Sequence, residues 1–562
     1  MTTLSTRLAL IVATNISLSV CLGCRSEPTE DHGATDAAPS STSGTGAGGS
    51  ASTTGDTAAE TTPDDTSTAT TIEEPTTGEL PECGDGILDS GEECEPNVKG
   101  DATCESVLGQ DWVGPVGCSA TDDCSFDTAG CEQLVEGAYY VAPDGDDDAP
   151  GSLDAPWQTW QHALDSAAPG DVIYLRGGTY QPQQRVRSNV NGTASGWITV
   201  SGYPGEGPIL DCGQVDSVSC LSLDQSSYVV IRRITVQNLW QKTPADDLSA
   251  GFEITRSHDM RVESVTVHDI GAGCFFSSDN DELVYSNCDA FNCVDHLSKA
   301  LPGNDGTGFL DGTQVIGATD GNVYYEGCRA WECGDQGFSS GSSAATHYRE
   351  CWSFDNGLLE GAGHGFKMGW VPNPTPGVLN RTYRNSIAAN NRRRGWDSND
   401  QTYDSGILVT LNNFAYQNGC DDPDAAECAN ASHGFYVFNT NSSEAEELQR
   451  GYYNNASFDN EDGEVGVENG ASYSHANNTW DSTVTVSEED FVSLDTSDLH
   501  RPRRLDGSLP DIEFGHLAAD SDLIDAGQVR DGYHCPMPGE HDDACIPWFG
   551  KAPDMGYAEF GA

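Results

Sequence analysis

A motif that returns every 28 to 30 residues constrains this chain more than any other feature, stretching where loops intrude. Glycine followed by Phe or Trp occurs at Gly308, Gly337, Gly365, Gly395 and Gly434. A second element falls between these points: Cys288-Asp289-Ala290-Phe291-Asn292, Cys328-Arg329-Ala330-Trp331-Glu332, Cys351-Trp352-Ser353-Phe354-Asp355. Ser386-Ile387-Ala388-Ala389-Asn390, Phe414-Ala415-Tyr416-Gln417-Asn418 and Ala456-Ser457-Phe458-Asp459-Asn460 continue it. One short coil cannot bury its own apolar face and needs a neighbour above and below, so the period predicts a solenoid. Strand-rich units without intervening helices favour an all-β parallel β-helix over a leucine-rich or helical solenoid. A β-propeller would need longer repeats of four strands each. Equivalent small and aromatic residues should stack coil on coil, with Asn or Asp at the bends and side-chain amides bonded along the stack.

The flanks divide the chain further. Residues 137–562 carry the solenoid pattern, and Pro156 to Ala167 read as one amphipathic helix with Trp157, Trp160, Ala163, Leu164 and Ala167 on one face. That helix should cap the open N-terminal end and shield its edge strands. Asp171 to Leu175 follow as a strand leading to the turn Gly177-Gly178. Residues 81–135 hold Cys83, Cys94, Cys104, Cys118, Cys124 and Cys131, which imply three disulfides stapling a small module. Zinc is the weaker alternative, because no CxxC pair occurs. Residues 24–80 are Thr, Ser, Gly, Ala and acid, a composition that predicts a disordered tether. Within the solenoid, Cys212/Cys220, Cys420/Cys428 and Cys535/Cys545 read as local disulfides. Cys288, Cys328 and Cys351 read as small core fillers, and Cys274, Cys293 and Cys333 stay unassigned.

Residues 1–23 carry Arg7 and an apolar run from Leu8 to Val20, too short to span a bilayer and typical of a signal peptide. The following Cys21-Leu22-Gly23-Cys24 resembles a bacterial lipoprotein cleavage site, which would make Cys24 the lipidated first residue. Cys21 departs from the aliphatic residue usual there, and plain secretion is the alternative. Either route leads to an extracellular or cell-surface location where disulfides persist. The module's opening, Cys83-Gly84-Asp85-Gly86 through Glu92-Glu93-Cys94, resembles the cysteine-rich repeats of myxobacterial surface proteins.

Charge narrows the function. With 89 acidic residues and a formal net charge of −63, no basic face exists to displace counterions from a nucleic acid. The same charge opposes simple attraction to an acidic polymer. Lysine occurs five times, at Lys99, Lys242, Lys299, Lys367 and Lys551, and Lys367 alone lies in the Gly-aromatic register. An amine held on a rigid acid-rich scaffold can serve as a proton-abstracting base; a surface lysine on a loop is the plain alternative. Arg392-Arg393-Arg394, one coil further on, is the dense positive cluster of the sequence. It could depress the lysine pKa, or be a solvated turn. His364 reads as a coil-surface residue rather than a catalytic acid, and His347 and His433 have no stronger claim to that role.

Residues 137–562 resemble polysaccharide lyase family 9, the pectate-lyase-like right-handed parallel β-helices. The resemblance rests on Tyr139-Tyr140-Val141-Ala142-Pro143-Asp144-Gly145, Gly170 to Leu175 leading to Gly178-Thr179-Tyr180, and Gly365-Phe366-Lys367. Leu505 to Asp511 and Asp522 to Gly527 match as well. It implies β-elimination in a uronate polymer, with Lys367 as the base and Arg392, Arg393 and Arg394 as substrate-binding residues. It also implies calcium, held in the family by an Asp before Gly-Phe and by an Asp-Asp-Gly-Trp-Asp coil. Here Thr307 and Asp335-Gln336-Gly337-Phe338-Ser339 take those places, so Asp335 survives and Asp305 and Asp311 are the acids near the first. Calcium takes 6–8 oxygen ligands, several of them carboxylates, so the expectation is a degraded site. The expected partner is an acidic polysaccharide and the expected state a monomer. The alternatives are a non-catalytic carbohydrate-binding or adhesive solenoid, and a glycoside hydrolase with two carboxylates on the same scaffold.

Overall fold

The computed structural model describes residues 88, 92–95, 101–119, 124–243, 250–297, 302–312, 321–341, 345–358, 360–369, 378–399, 405–419, 432–438, 448–481, 483–536 and 545–561. The expected signal peptide, Cys24, the tether, Cys83 and the Cys420/Cys428 pair lie outside these residues.

The repeat folds into three long parallel sheets. Sheet A has 12 strands from Tyr139–Val141 to Ser474–Ala476. Sheet B has 10 strands, from Gly178–Tyr180 to Ala456–Phe458. Sheet C also has 10, from Val186–Ser188 to Gly463–Val467. The chain visits A, B and C in turn, and every strand pairs with its equivalent one coil later, as in Phe338↔Phe366↔Trp396. This is the parallel β-helix that the period predicts.

Each part of the repeat has a packing reason. Phe309, Phe338, Phe366, Trp396 and Phe435 point inward from sheet C and stack with centroid spacings of 4.9, 4.9, 5.0 and 4.7 Å. The glycine before each ring leaves room for sheet B opposite: a Cβ at Gly337 would lie 2.0 Å from Ser353 Oγ, and one at Gly365 3.1 Å from Ala388 Cβ. The bends turn through left-handed residues, among them Asn385, Asn412 and Asn454 on one side and Asp355, Asn390 and Asp459 on the other. Asn and Asp tolerate that conformation best among non-glycine residues. Beside them run two amide ladders, Asn356–Asn391–Asn418–Asn460 and Asn413–Asn455–Asn478, with rungs of 2.8 to 3.0 Å. Buried Cys288, Cys328 and Cys351 occupy the start of the second column as free thiols.

The ends differ in detail from expectation. The capping helix is Trp160–Ser166, capped by the Thr159 hydroxyl. It starts later than the apolar pattern suggests because the Trp157 backbone bonds to Tyr140 and Ala142 instead, an edge pairing that outcompetes a first helical turn. Trp160, Ala163 and Leu164 still bury against Leu175, Val200 and Leu221. Disulfides join Cys94–Cys118 and Cys104–Cys131 in the small module, and Cys212–Cys220 and Cys535–Cys545 in the solenoid. Cys274 bonds to Cys293, while Cys333 is free and buried. The segment after residue 479 folds back over the outer face of sheet B. There Phe491, Leu499, Phe514, Leu523 and Met555 bury Trp352, Phe354, Ile387 and Phe414. Asp289 fastens it, pairing at 2.8 Å with Arg329 and at 2.7 Å with Arg503.

Candidate active site on sheet C

Strand alternation decides which side chains sheet C presents. In His364–Lys367, Phe366 enters the core, so Lys367 faces outward. Its ammonium lies 3.1 and 3.0 Å from the two oxygens of Asp335, one coil earlier. The pair is largely enclosed, with the lysine side chain 16% and the aspartate 7% exposed. Lys367 is thus a strand residue locked into a site, not a loop lysine in solvent. Burial pushes the Asp335 carboxyl upward, against the pull of the Lys367 ammonium and then Arg393.

The arginine triplet divides by role. The Arg394 guanidinium pairs with Asp397 at 2.7 Å and lies 3.6 Å above the Tyr436 ring. Arg392 donates to the Gly361 carbonyl at 2.6 Å, which ties the loop leading into the lysine strand. Arg393 stands within electrostatic reach of both Asp335 and His364. The structure therefore brings Lys367, Arg393 and Arg394 to one site and turns Arg392 toward the loop backbone.

His364 is buried, correcting the expectation of a coil-surface residue: it is enclosed on the outer side of sheet C among Asp397, Lys367, Arg393 and Arg394. Burial, then Lys367, Arg394 and Arg393, hold its pKa well below the ordinary value and keep it neutral. Its Nδ1 lies 3.7 Å from Asp397 and has no hydrogen-bond partner. Asp397 and Asp295 escaped the sequence reading. Asp397 could have been found, since it follows Gly395-Trp396 and pairs in register with Lys367. Asp295 lies in a loop without a motif; burial, then Asp305 and Asp335, push its carboxyl up to about 7.

Asp305 contributes its backbone N–H to Asp295 at 3.0 Å. Gln336 donates to the Thr307 hydroxyl at 2.7 Å, leaving its carbonyl oxygen buried without a partner, as is one oxygen of Asp295. These residues do not fit a calcium ion as placed. Lys367 engages both Asp335 oxygens, and among the described residues no three acidic groups here bring ligand atoms within 4.8 Å of one another. The one set that does, Glu92, Glu95 and Cys124, includes a disulfide-bonded cysteine.

Known proteins align with this architecture. Residues 139–426 match the model described as "Pel9A-like, right handed beta helix region", and residues 469–555 match "Rhamnogalacturonan lyase-like, C-terminal". The chain is 28% identical over 459 residues to pectate lyase L of Dickeya chrysanthemi, covering 78% of this chain and 93% of the relative. The solved structure of pectate lyase Pel9A superposes with a TM-score of 0.57 at 24% identity, covering 75% of this chain and 96% of that one. A solved rhamnogalacturonan lyase gives 0.55 at 26% identity, covering 68% and 97%. With its coils, its Gly-Phe-Lys strand and a family match spanning 139–426, this chain belongs to the Pel9A-like right-handed β-helix family.

Proposed function

We propose that this protein is a lyase that cleaves a uronate-containing polysaccharide by β-elimination, with Lys367 as the base. The observation that carries the reading is the outward Lys367 amine, paired with Asp335 and accompanied by Arg393 and Arg394. Relatives named as pectate lyases and a rhamnogalacturonan lyase support it. In the reaction the amine takes the proton from C5 of the uronate, that electron pair forms the C4–C5 double bond, and the C4–oxygen bond breaks. The departing oxygen takes up a proton. Positive charge must meet the developing enolate, and Arg393 is the residue assigned to it. A base must first be neutral. Because burial pushes the Asp335 carboxyl upward, a proton can pass from the ammonium to that carboxylate across 3.0 Å and free the amine. Because Lys367 already engages both Asp335 oxygens, activity should persist in a chelator.

The test is direct. The purified chain, given uronate polymers, should release unsaturated ends that absorb in the ultraviolet, and Lys367→Ala should lower the rate by about 10²–10⁴-fold. Full activity in that variant would overturn the assignment. A second reading, a non-catalytic carbohydrate-binding solenoid, is favoured by the closed Lys367–Asp335 pair; polymer retention without product would select it. Reducing ends without ultraviolet absorbance would indicate hydrolysis. Export and a lipid anchor at Cys24 belong to the same reading, and labelling with a fatty acid in wild type but not in Cys24→Ser checks them.

A further inference from the structure

Sheet C carries a straight outward row in which each residue pairs with the next. It runs Arg187, Ser222, Glu253, Phe276, Leu310, Ser339, Lys367, Asp397, Tyr436. Phe276 and Leu310 are half-buried on this outer face, while Phe275 and Phe309 beside them fill the core. Phe276 and Leu310 thus form an adjacent apolar pair on the outer wall, one coil apart. Neighbouring strands lie about 4.8 Å apart, so Leu310 and Phe276 stand about 10 and 14 Å from Lys367 along the row. Between Lys367 and Arg187 the row itself holds no cation, and its one carboxylate, Glu253, is paired at 4.0 Å with Arg185.

A homopolymer of uronate places a carboxylate on every sugar. Laid along this row, its carboxylates beyond the one served by Arg393 would meet Leu310, Phe276 and Glu253. Apolar contacts cannot replace the water a carboxylate loses, and Glu253, already paired with Arg185, offers it no donor. The C–H faces of a neutral sugar, or the methyl of a 6-deoxy sugar, bury well against such side chains. We infer that Phe276 and Leu310 form a subsite for a neutral sugar, and that the substrate is a polymer in which uronate alternates with neutral residues. This rests on the lyase reading for the direction of the chain through Lys367, but binding alone can test it.

Retention in affinity gels is read on full-length Lys367→Ala, so that cleavage does not intrude. One gel holds polygalacturonate, the other a polymer of alternating galacturonate and rhamnose. The alternating polymer should be retained at least about tenfold more strongly, and Phe276→Ser with Leu310→Ser should abolish that preference. Leu310→Lys, which supplies a cation in the row, should move preference toward polygalacturonate. Equal or tighter retention of polygalacturonate by the parent overturns the inference. So does an unchanged preference in the double variant or in Leu310→Lys with thermal unfolding unaltered. Preference without ultraviolet-absorbing product from the wild-type chain would instead remove the lyase reading and leave the subsite standing.

Discussion

The first coils and the central coils share one topology and fill it differently. Between residues 172 and 232 the interior is aliphatic, with Ile173, Leu175, Ile198, Val200, Leu221, Leu223, Val229 and Ile231 all buried. From Phe275 onward the sheet C column becomes stacked rings, matched on sheet A by Tyr285, Tyr325, Tyr348 and Tyr383 at spacings of 5.1, 4.6 and 4.5 Å. Amide ladders flank them. Aliphatic packing is nondirectional and adapts to small shifts, whereas stacked rings and bonded amides fix each rung against the next. Lys367 and its partners sit in the second kind of coil. Precision is concentrated where Asp335, Lys367 and Asp397 on three successive coils must meet.

The contrast can be broken most severely at Trp396. Trp396→Ala removes a fully buried ring between Phe366 and Phe435 and should cost about 3–5 kcal/mol in denaturant unfolding, with loss of any Lys367-dependent activity. A cost below about 1 kcal/mol would show that the column is not holding the rungs. Next comes pH. The folded Asp295 carboxyl titrates at about 7, above the ordinary value of 3.8 that applies when unfolded. Between those values the folded chain keeps a proton that the unfolded chain has lost, so stability falls as pH rises and stays low above 7. Asp295→Asn should flatten that decline, on the order of 3 kcal/mol across the window, in melting measured from pH 4 to 8.

Asn391→Leu comes third. It takes one rung partner from each of the buried amides of Asn356 and Asn418, and a loss of about 1–3 kcal/mol is expected by the same unfolding measurement. The smallest effect sharpens the comparison from the other side: Ile231→Val in the aliphatic coils should cost about 0.5–1.5 kcal/mol and leave activity unchanged. An activity loss there would mean that the first coils also set the geometry at Lys367.

The coil was legible because one residue pattern serves both walls: Gly before an aromatic on sheet C and Ala or Ser on sheet B are complementary shapes read 28 to 30 residues apart. Lys367 was legible through the same register. The pairing of Cys274 with Cys293 was not, because only closure of the coil brings residues 19 apart within bonding distance. His364 was misplaced because its neighbours Gly363 and Gly365 suggest an open loop, whereas in the fold the groups around Lys367 and Asp397 enclose it. Asp295 was invisible because its behaviour comes from burial beside Asp305 and Asp335, not from its sequence surroundings.

The return of the last segment across sheet B also dictates an order of manufacture. Coils can add one upon another as the polypeptide is made, yet Trp352, Phe354, Ile387 and Phe414 stay wet until Phe491 through Met555 arrive. A nascent chain paused before residue 490 therefore shows a greasy wall to its surroundings. Products cut short by mistranslation or proteolysis should clump, while the finished molecule, its wall covered and its charge at −63, should not.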